Sequence, residues 1–169
     1  MIKGLNNWTN CIFFQGEPVP SLGILTGGGD SPGLNSVIWA TTKACHQRGW
    51  KLMGIQNSLT GLMGDHPKSF ELTLDRVRGI KDHGGTILGT SNQGSPFRAD
   101  GGKECIEAIT ANFKSLGMDT LIVVGGDGTQ MMARYLHDAG LSVVGIPKTI
   151  DNDLLGFDQT IGFSTAVGL

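Results

Sequence analysis

The sequence predicts an α/β fold: a doubly wound, mostly parallel sheet with helices on both faces. Three observations carry that expectation. Short apolar runs at residues 22–26, 121–124 and 141–146 each stop at a glycine-rich or acidic turn. Segments of helical length separate them, as a crossover between parallel strands requires. The chain also carries 27 glycines in 169 residues, gathered mostly at turns where backbone must approach a ligand closely.

In chain order, residues 1–20 form a lead-in containing Pro18 and Pro20, and its apolar stretch 11–14 is expected to pack, as an edge strand or against a partner. Residues 22–26 are the first strand, running into Gly27-Gly28-Gly29-Asp30-Ser31-Pro32-Gly33. A helix at about 36–47 follows, with Val37, Ile38, Thr41, Ala44 and Cys45 on its buried face and Gly49 closing it. Residues 50–55 complete a βαβ unit. Residues 56–70 read as loop, 74–81 as a short helix, and 86–88 as a short strand entering the loop 89–98. An amphipathic helix at 102–116 places Cys105, Ile106, Ile109, Phe113 and Leu116 on one side. Then come a strand at 120–124, the turn Gly125-Gly126-Asp127-Gly128-Thr129, a crossover helix at 130–139 and a strand at 141–146. The acidic turn 147–153 follows, and 161–169 opens another helix. That helix stops without a cap or a following strand, so the expectation is one α/β domain, residues 21–169, that is interrupted.

Composition narrows the function classes. Net charge is −2 with the charges dispersed, so no basic patch argues for nucleic acid or an anionic membrane. No apolar run approaches the ~20 residues of a bilayer span. The N-terminus lacks a signal peptide's apolar core. Cys11, Cys45 and Cys105 are an odd set without metal-like spacing, read as reduced thiols of a cytoplasmic protein. His46, His66, His83 and His137 share no ligand spacing, and Trp8, Trp39 and Trp50 read as packing residues.

Chemistry concentrates in the turns. Both polar turns of the 121–153 unit emerge at the carboxyl edge of the sheet, where open α/β sheets bind ligands. Glycines at 27–33 let backbone N–H groups face an anion at a helix N-terminus; tight packing, with Asp30 as a helix cap, is the structural alternative. Asp127 between glycines suits a phosphate-bound Mg²⁺, which takes one or two carboxylates and keeps its waters; the alternative is a capping Asp. Thr149, Asp151 and Asp153 alternate, so extended backbone would point all three the same way. A hydroxyl and two carboxylates facing a phosphate suit phosphoryl transfer, and an Asx-type turn is the alternative. Lys148 is either a charge that neutralises phosphate or a solvated lysine.

With these loops in view, the chain resembles the phosphofructokinase family, enzymes that phosphorylate fructose 6-phosphate at its 1-hydroxyl. The matching stretches are GILTGGGDSPGLN (23–35), GGTILGTSNQGSPF (84–97), IVVGGDGT (122–129), GIPKTIDND (145–153) and GFDQTIGFSTA (156–166). The resemblance implies the Rossmann-like N-terminal half of such an enzyme, cytoplasmic and oligomeric. It implies that Gly28 contacts the phosphoryl donor through its backbone and that Asp127 holds Mg²⁺, with Gly126, Gly128 and Thr129 around the donor phosphates. Thr149 and Ile150 would meet the sugar phosphate, Asp151 would act as general base, and Asp153 would support metal and transition state. Asn92 and Gln93 stand beside the donor where many members carry a bridging arginine, which leaves Lys148 or Arg98 to supply that charge. Gly128 points to ATP and Lys148 to pyrophosphate; together they resemble an ATP-dependent branch. The expectation is transfer from ATP to fructose 6-phosphate, with a homo-oligomer or a separate C-terminal half completing the site. The alternatives are a pyrophosphate-dependent enzyme, an inactive phosphate-binding module, or one half of a split enzyme.

Overall fold

The computed structural model describes residues 19–91, 102–154 and 156–168. The stretch 11–14 and residues Asn92, Gln93 and Arg98 lie outside them. Six strands form one sheet in the order β3-β2-β1-β4-β5-β6: β1 Ser21–Thr26, β2 Lys51–Ile55, β3 Ser69–Glu71, β4 Thr120–Gly125, β5 Val143–Thr149 and β6 Ile161–Gly162. All pairs are parallel except β2 with β3. The long helices are α1 Leu34–Gln47, α2 Lys103–Ser115 and α3 Asp127–Asp138, and the short α4 is Phe163–Val167.

The two central strands explain the layering. Successive side chains point to opposite faces, so a strand covered on both sides reads as a continuous apolar run. Ile24, Ile122 and Val124 pack with Leu34, Ile38 and Cys45 of α1. Their neighbours Leu25, Leu121 and Val123 pack on the other face with Ile109 and Phe113 of α2 and with Ala133 and Leu136 of α3. The expectation of helices on both faces therefore holds. Helix α1 ends as Gly49 suggests: Gly49 N–H donates to His46 O at 3.1 Å and Trp50 N–H to Cys45 O at 2.9 Å, with Gly49 left-handed at φ 69°.

Several boundaries differ from the sequence expectation. Residues 74–81 form turns instead of a helix, because Gly79 at φ 78° interrupts a few long bonds such as Ile80 N–H to Val77 O at 3.4 Å. Residues 86–88 are a turn, not a strand. Their backbone groups are taken by neighbours: Ile87 N–H by Asn35 Oδ1 at 2.9 Å and Leu88 O by Asn57 N–H at 2.9 Å. The supposed loop 56–70 contains a 3₁₀ helix, Ser58–Leu62, and the start of β3, which is too short and polar to announce itself. Residues 161–162 join the sheet before α4 begins. Strand β5 runs past Pro147 to Thr149; β6 pairs with it only at Lys148 and Thr149, and proline is tolerated beside an unpaired strand flank. Val144, on the flank that no strand among the described residues pairs with, is exposed.

Strand β1 leads through α1 to β2 on one side, while β4 lies on its other side. The turns leaving β1 and β4 therefore diverge and open a crevice at the carboxyl ends of the strands.

Candidate functional site

A cleft of about 430 Å³ occupies that crevice. Three of the predicted loops converge on it: residues 28–31 after β1, 126–129 after β4 and 148–151 at the end of β5. Ser58, Leu59 and Thr60 of the 3₁₀ helix, Ser91 and Met132 complete its lining.

The β1 loop is pinned from both sides. Gly27 N–H donates to Val124 O at 2.8 Å, tying it to β4. Thr26 Oγ1 donates to Gly89 O at 2.8 Å, and the Thr90 hydroxyl donates to Gly28 O. Gly28 N–H donates to Ser91 O at 3.3 Å, a long bond that an anionic oxygen could replace. Asp30 is not a helix cap: Gly33 holds that position, and Asp30 Oδ1 accepts from its neighbour Ser31 N–H at 3.0 Å.

Helix α3 starts at Asp127, earlier than the predicted 130, so Asp127, Gly128 and Thr129 form its first turn. The N–H groups of Asp127 and Gly128 precede the first bonds of the helix, which Thr129 N–H and Gln130 N–H make to Gly126 O at 3.0 and 2.9 Å. The cap is Gly126 and makes no side-chain bond, so Asp127 is free of the capping role and stands exposed in the cleft. Thr129 is 3% exposed and wedged between two strand ends. A Cβ on Gly27 would lie 2.7 Å from its side chain and one on Gly125 2.5 Å away, so close approach requires glycine at both positions. A Cβ on Gly128 would meet nothing within 4 Å, so protein packing does not demand that glycine.

Lys148 is 5% exposed, not a solvated surface lysine. Its Nζ donates to Gly29 O, clasping the β1 loop. Burial pushes its pKa down, and the nearby Asp30 carboxylate opposes that shift. Beyond it the backbone folds back. Asn152 is left-handed at φ 51°, its Oδ1 accepts from Thr160 N–H at 3.1 Å, and Thr160 Oγ1 donates to Thr149 O at 2.9 Å. The extended alternation expected of Thr149, Asp151 and Asp153 is therefore absent. Thr149, Ile150 and Asp151 line the cleft and Asp153 does not. Asp151 N–H donates to Thr149 Oγ1 at 3.2 Å, an Asx-like local bond that leaves the Asp151 carboxylate exposed.

Sequence reasoning missed Gln130. Its Nε2 donates to Gly125 O at 3.0 Å and Ile146 O at 2.9 Å, joining the ends of β4 and β5. The signal was available: Gly145 sits where a Cβ would come within 2.2 Å of Gln130 Oε1. It also missed the 3₁₀ wall, which lacks any motif. The histidines are solvent-exposed. Among the described residues no cluster of three or more His, Cys, Asp or Glu could hold a metal ion, and no helix is long and apolar enough to cross a membrane.

Comparison with known proteins places this arrangement. The family model described as Phosphofructokinase matches residues 21–169. Over 152 residues the chain is 46% identical to an ATP-dependent 6-phosphofructokinase of Chloroflexus aggregans, covering 86% of this chain and 42% of that protein. Over 148 residues it is 48% identical to a pyrophosphate–fructose 6-phosphate 1-phosphotransferase of Amycolatopsis methanolica, covering 86% of this chain and 41% of the relative. The fold superposes on the T-state phosphofructokinase of Pichia pastoris with a TM-score of 0.78 and 34% identity, over 86% of this chain and 17% of that one. The chain thus spans well under half the length of these relatives, and by the extent of the family match it belongs to the phosphofructokinase family.

Proposed function

We propose that the protein acts in 6-phosphofructokinase-type phosphoryl transfer, moving the γ-phosphoryl group of ATP to the 1-hydroxyl of fructose 6-phosphate. The observation that carries this reading is the convergence of Asp127, Thr129, Lys148, Thr149 and Asp151 on one cleft at the switch point of the sheet. Residues 21–169 are the donor-binding unit in this reading, working in the cytoplasm with a second copy or a C-terminal half that completes the sugar site.

Roles follow from placement. The Gly28 backbone and the first turn of α3, Gly126 to Thr129, receive the donor phosphates, where N–H groups and the helix dipole favour anions. Lys148 adds a fixed positive charge at the same loop. Thr149 and Ile150 border the sugar phosphate. Asp151 accepts the 1-hydroxyl proton as the O–P bond forms and the bond to the ADP leaving group breaks. Asp153, outside the cleft lining, acts through the loop and not by contact.

The site fits a hard divalent cation such as Mg²⁺ held largely by donor oxygens, because Asp127 offers an exposed carboxylate and no three-ligand cage is present among the described residues. When bound, that cation neutralises charge on the transferring phosphoryl group. Asp127 is the residue that would hold it.

ATP is the favoured donor because Gly128, next to Asp127, leaves open space where a side chain would stand. Pyrophosphate is the second reading, favoured by the buried Lys148 and by the similarity to the Amycolatopsis protein. A phosphate-binding role without turnover has its own support: Lys148 is the lone lysine or arginine among the described residues lining the cleft. The test is a coupled fructose 1,6-bisphosphate assay with Mg²⁺, fructose 6-phosphate and either ATP or pyrophosphate. Turnover with ATP supports the proposal, turnover with pyrophosphate alone reassigns the donor, and none with either leaves the binding role.

A further inference from the structure

The segment after β2 reads as plain loop in the sequence, yet it builds one wall of the cleft. Asn57 and Ser58 are both left-handed, with φ of 57° and 64°. Neither is glycine, and two such residues in succession mark a backbone held in place by its surroundings. Asn57 N–H donates to Leu88 O at 2.9 Å, and the Thr60 hydroxyl donates to Asn57 O. These bonds fix where Ser58 points.

Ser58 is only 4% exposed although it lines the cleft. Among the described residues its hydroxyl has no hydrogen-bond partner. No fully buried side-chain N or O atom lacks one, so the free side of Ser58 Oγ opens on the cleft. Its location is specific. Oγ lies 3.0 Å from the point a Cβ on Gly27 would occupy, and Thr129 Oγ1 lies 2.8 Å from the same point. Thr129 Oγ1 likewise has no protein partner among the described residues. Two hydroxyls thus converge on one side of Gly27, and the Lys148 ammonium stands 3.7 Å from the corresponding point on Gly28. Ser58 thus offers an unshared hydroxyl to whatever occupies the cleft.

We propose that Ser58 is a ligand contact, its hydroxyl donating a hydrogen bond to a phosphate oxygen of the phosphoryl donor alongside Thr129. The chemistry is anionic oxygen, because the cleft at this point combines an ammonium, a helix N-terminus and hydroxyl donors. A nucleoside triphosphate and inorganic pyrophosphate share that chemistry. The inference rests on the reading of the cleft as a donor site and extends it to a wall that the motifs do not mark.

Calorimetric titration of the purified protein with MgATP and, separately, Mg-pyrophosphate tests it on wild type, Ser58→Ala, Ser58→Gly and Asp127→Ala. Ser58→Gly is the decisive variant, because it removes the hydroxyl while easing the left-handed backbone. Its melting temperature should hold or rise while donor affinity falls about tenfold or more, the effect of losing a hydrogen bond to a charged oxygen. Ser58→Ala should lose the same affinity. A glycine variant that binds as tightly as wild type overturns the proposal, since a loss in Ser58→Ala alone would then come from backbone. A donor that Asp127→Ala weakens and both Ser58 variants do not overturns Ser58 alone. Wild type that binds neither compound overturns the donor-site reading and this proposal with it. The compound whose affinity drops identifies the donor.

Discussion

The two turns that face each other across the cleft are built on different principles. The glycine turn after β4 is set by packing: Thr129 fills the space that Gly27 and Gly125 leave, and Gln130 ties two strand ends from within. The acidic connection after β5 is set by a few polar bonds around Asn152 and Thr160, with Ile150, Asp151 and Asp153 exposed. Close packing tolerates almost no change in volume, whereas a loop held by polar bonds opens locally at low cost. One side of the cleft is therefore a rigid reference, and the other can adjust to a substrate.

The largest expected effect falls on the adjustable side and on chemistry alone. Asp151→Ala should reduce turnover by roughly 10²–10⁴-fold, the usual contribution of a general base, while the melting temperature and donor affinity stay put. A variant that melts early would show that Asp151 also holds the loop, and unchanged turnover would remove it from the mechanism. The rigid side should respond oppositely. Gly125→Ala places a Cβ 2.5 Å from Thr129 Cβ, and overpacking of this kind typically costs about 1–3 kcal/mol. Denaturant titration reads that loss directly; full stability would mean that Thr129 can swing aside and the wedge is not rigid. A smaller effect is expected of Asn152→Ala, which strips the loop of its Thr160 bond and of a residue suited to positive φ. Stability should fall by about 0.5–1.5 kcal/mol and the Michaelis constant for the sugar phosphate should rise. A change confined to donor binding would assign the loop to the wrong substrate.

The smallest effect concerns Lys148, which bridges the two sides. Burial holds its folded pKa below the ordinary lysine value, so across the interval between the two the unfolded chain binds more proton than the folded one. Stability then rises with pH through that alkaline interval, and the charged form opposes folding below it. Thermal melts of wild type against Lys148→Met should converge as pH climbs toward the ordinary lysine value, with the methionine variant relatively more stable at neutral pH. Parallel profiles would mean that the Gly29 carbonyl compensates the burial in full.

How much of this could be read from residues alone follows the same division. The central strands announce themselves, because 22–26 and 120–124 are apolar on both faces and end at glycines. The cleft loops are also readable, since glycines beside an aspartate have few purely structural uses. The start of α3 was not readable: glycines within 125–129 suggest a turn, yet Gly126 is the helix cap and Gly128 lies in its first turn. The alternation of Thr149, Asp151 and Asp153 failed for a related reason. Strict alternation presumes extended backbone, and Asn152 turns left-handed because its own side chain finds partners in Thr160 and Asp158 O. Ser58 could not be found at all, because nothing in the string NSLT marks a backbone that places a hydroxyl against a loop whose own motif lies at the end of another strand.

The open flank of β5 has an effect of its own. Because β6 covers only Lys148 and Thr149, no strand among the described residues pairs with the outer flank of the stretch before them, which carries the exposed Val144. Such a margin is a template for another extended segment, and natural sheets shield it with charge, a bulge or a covering element. Here it carries valine and glycine in place of lysine or glutamate. Colloidal behaviour should therefore depend on whatever caps that margin: crowded and uncapped, the molecule would recruit its own kind edge to edge, and the cleft, which begins at Lys148 on the same strand, would inherit the distortion.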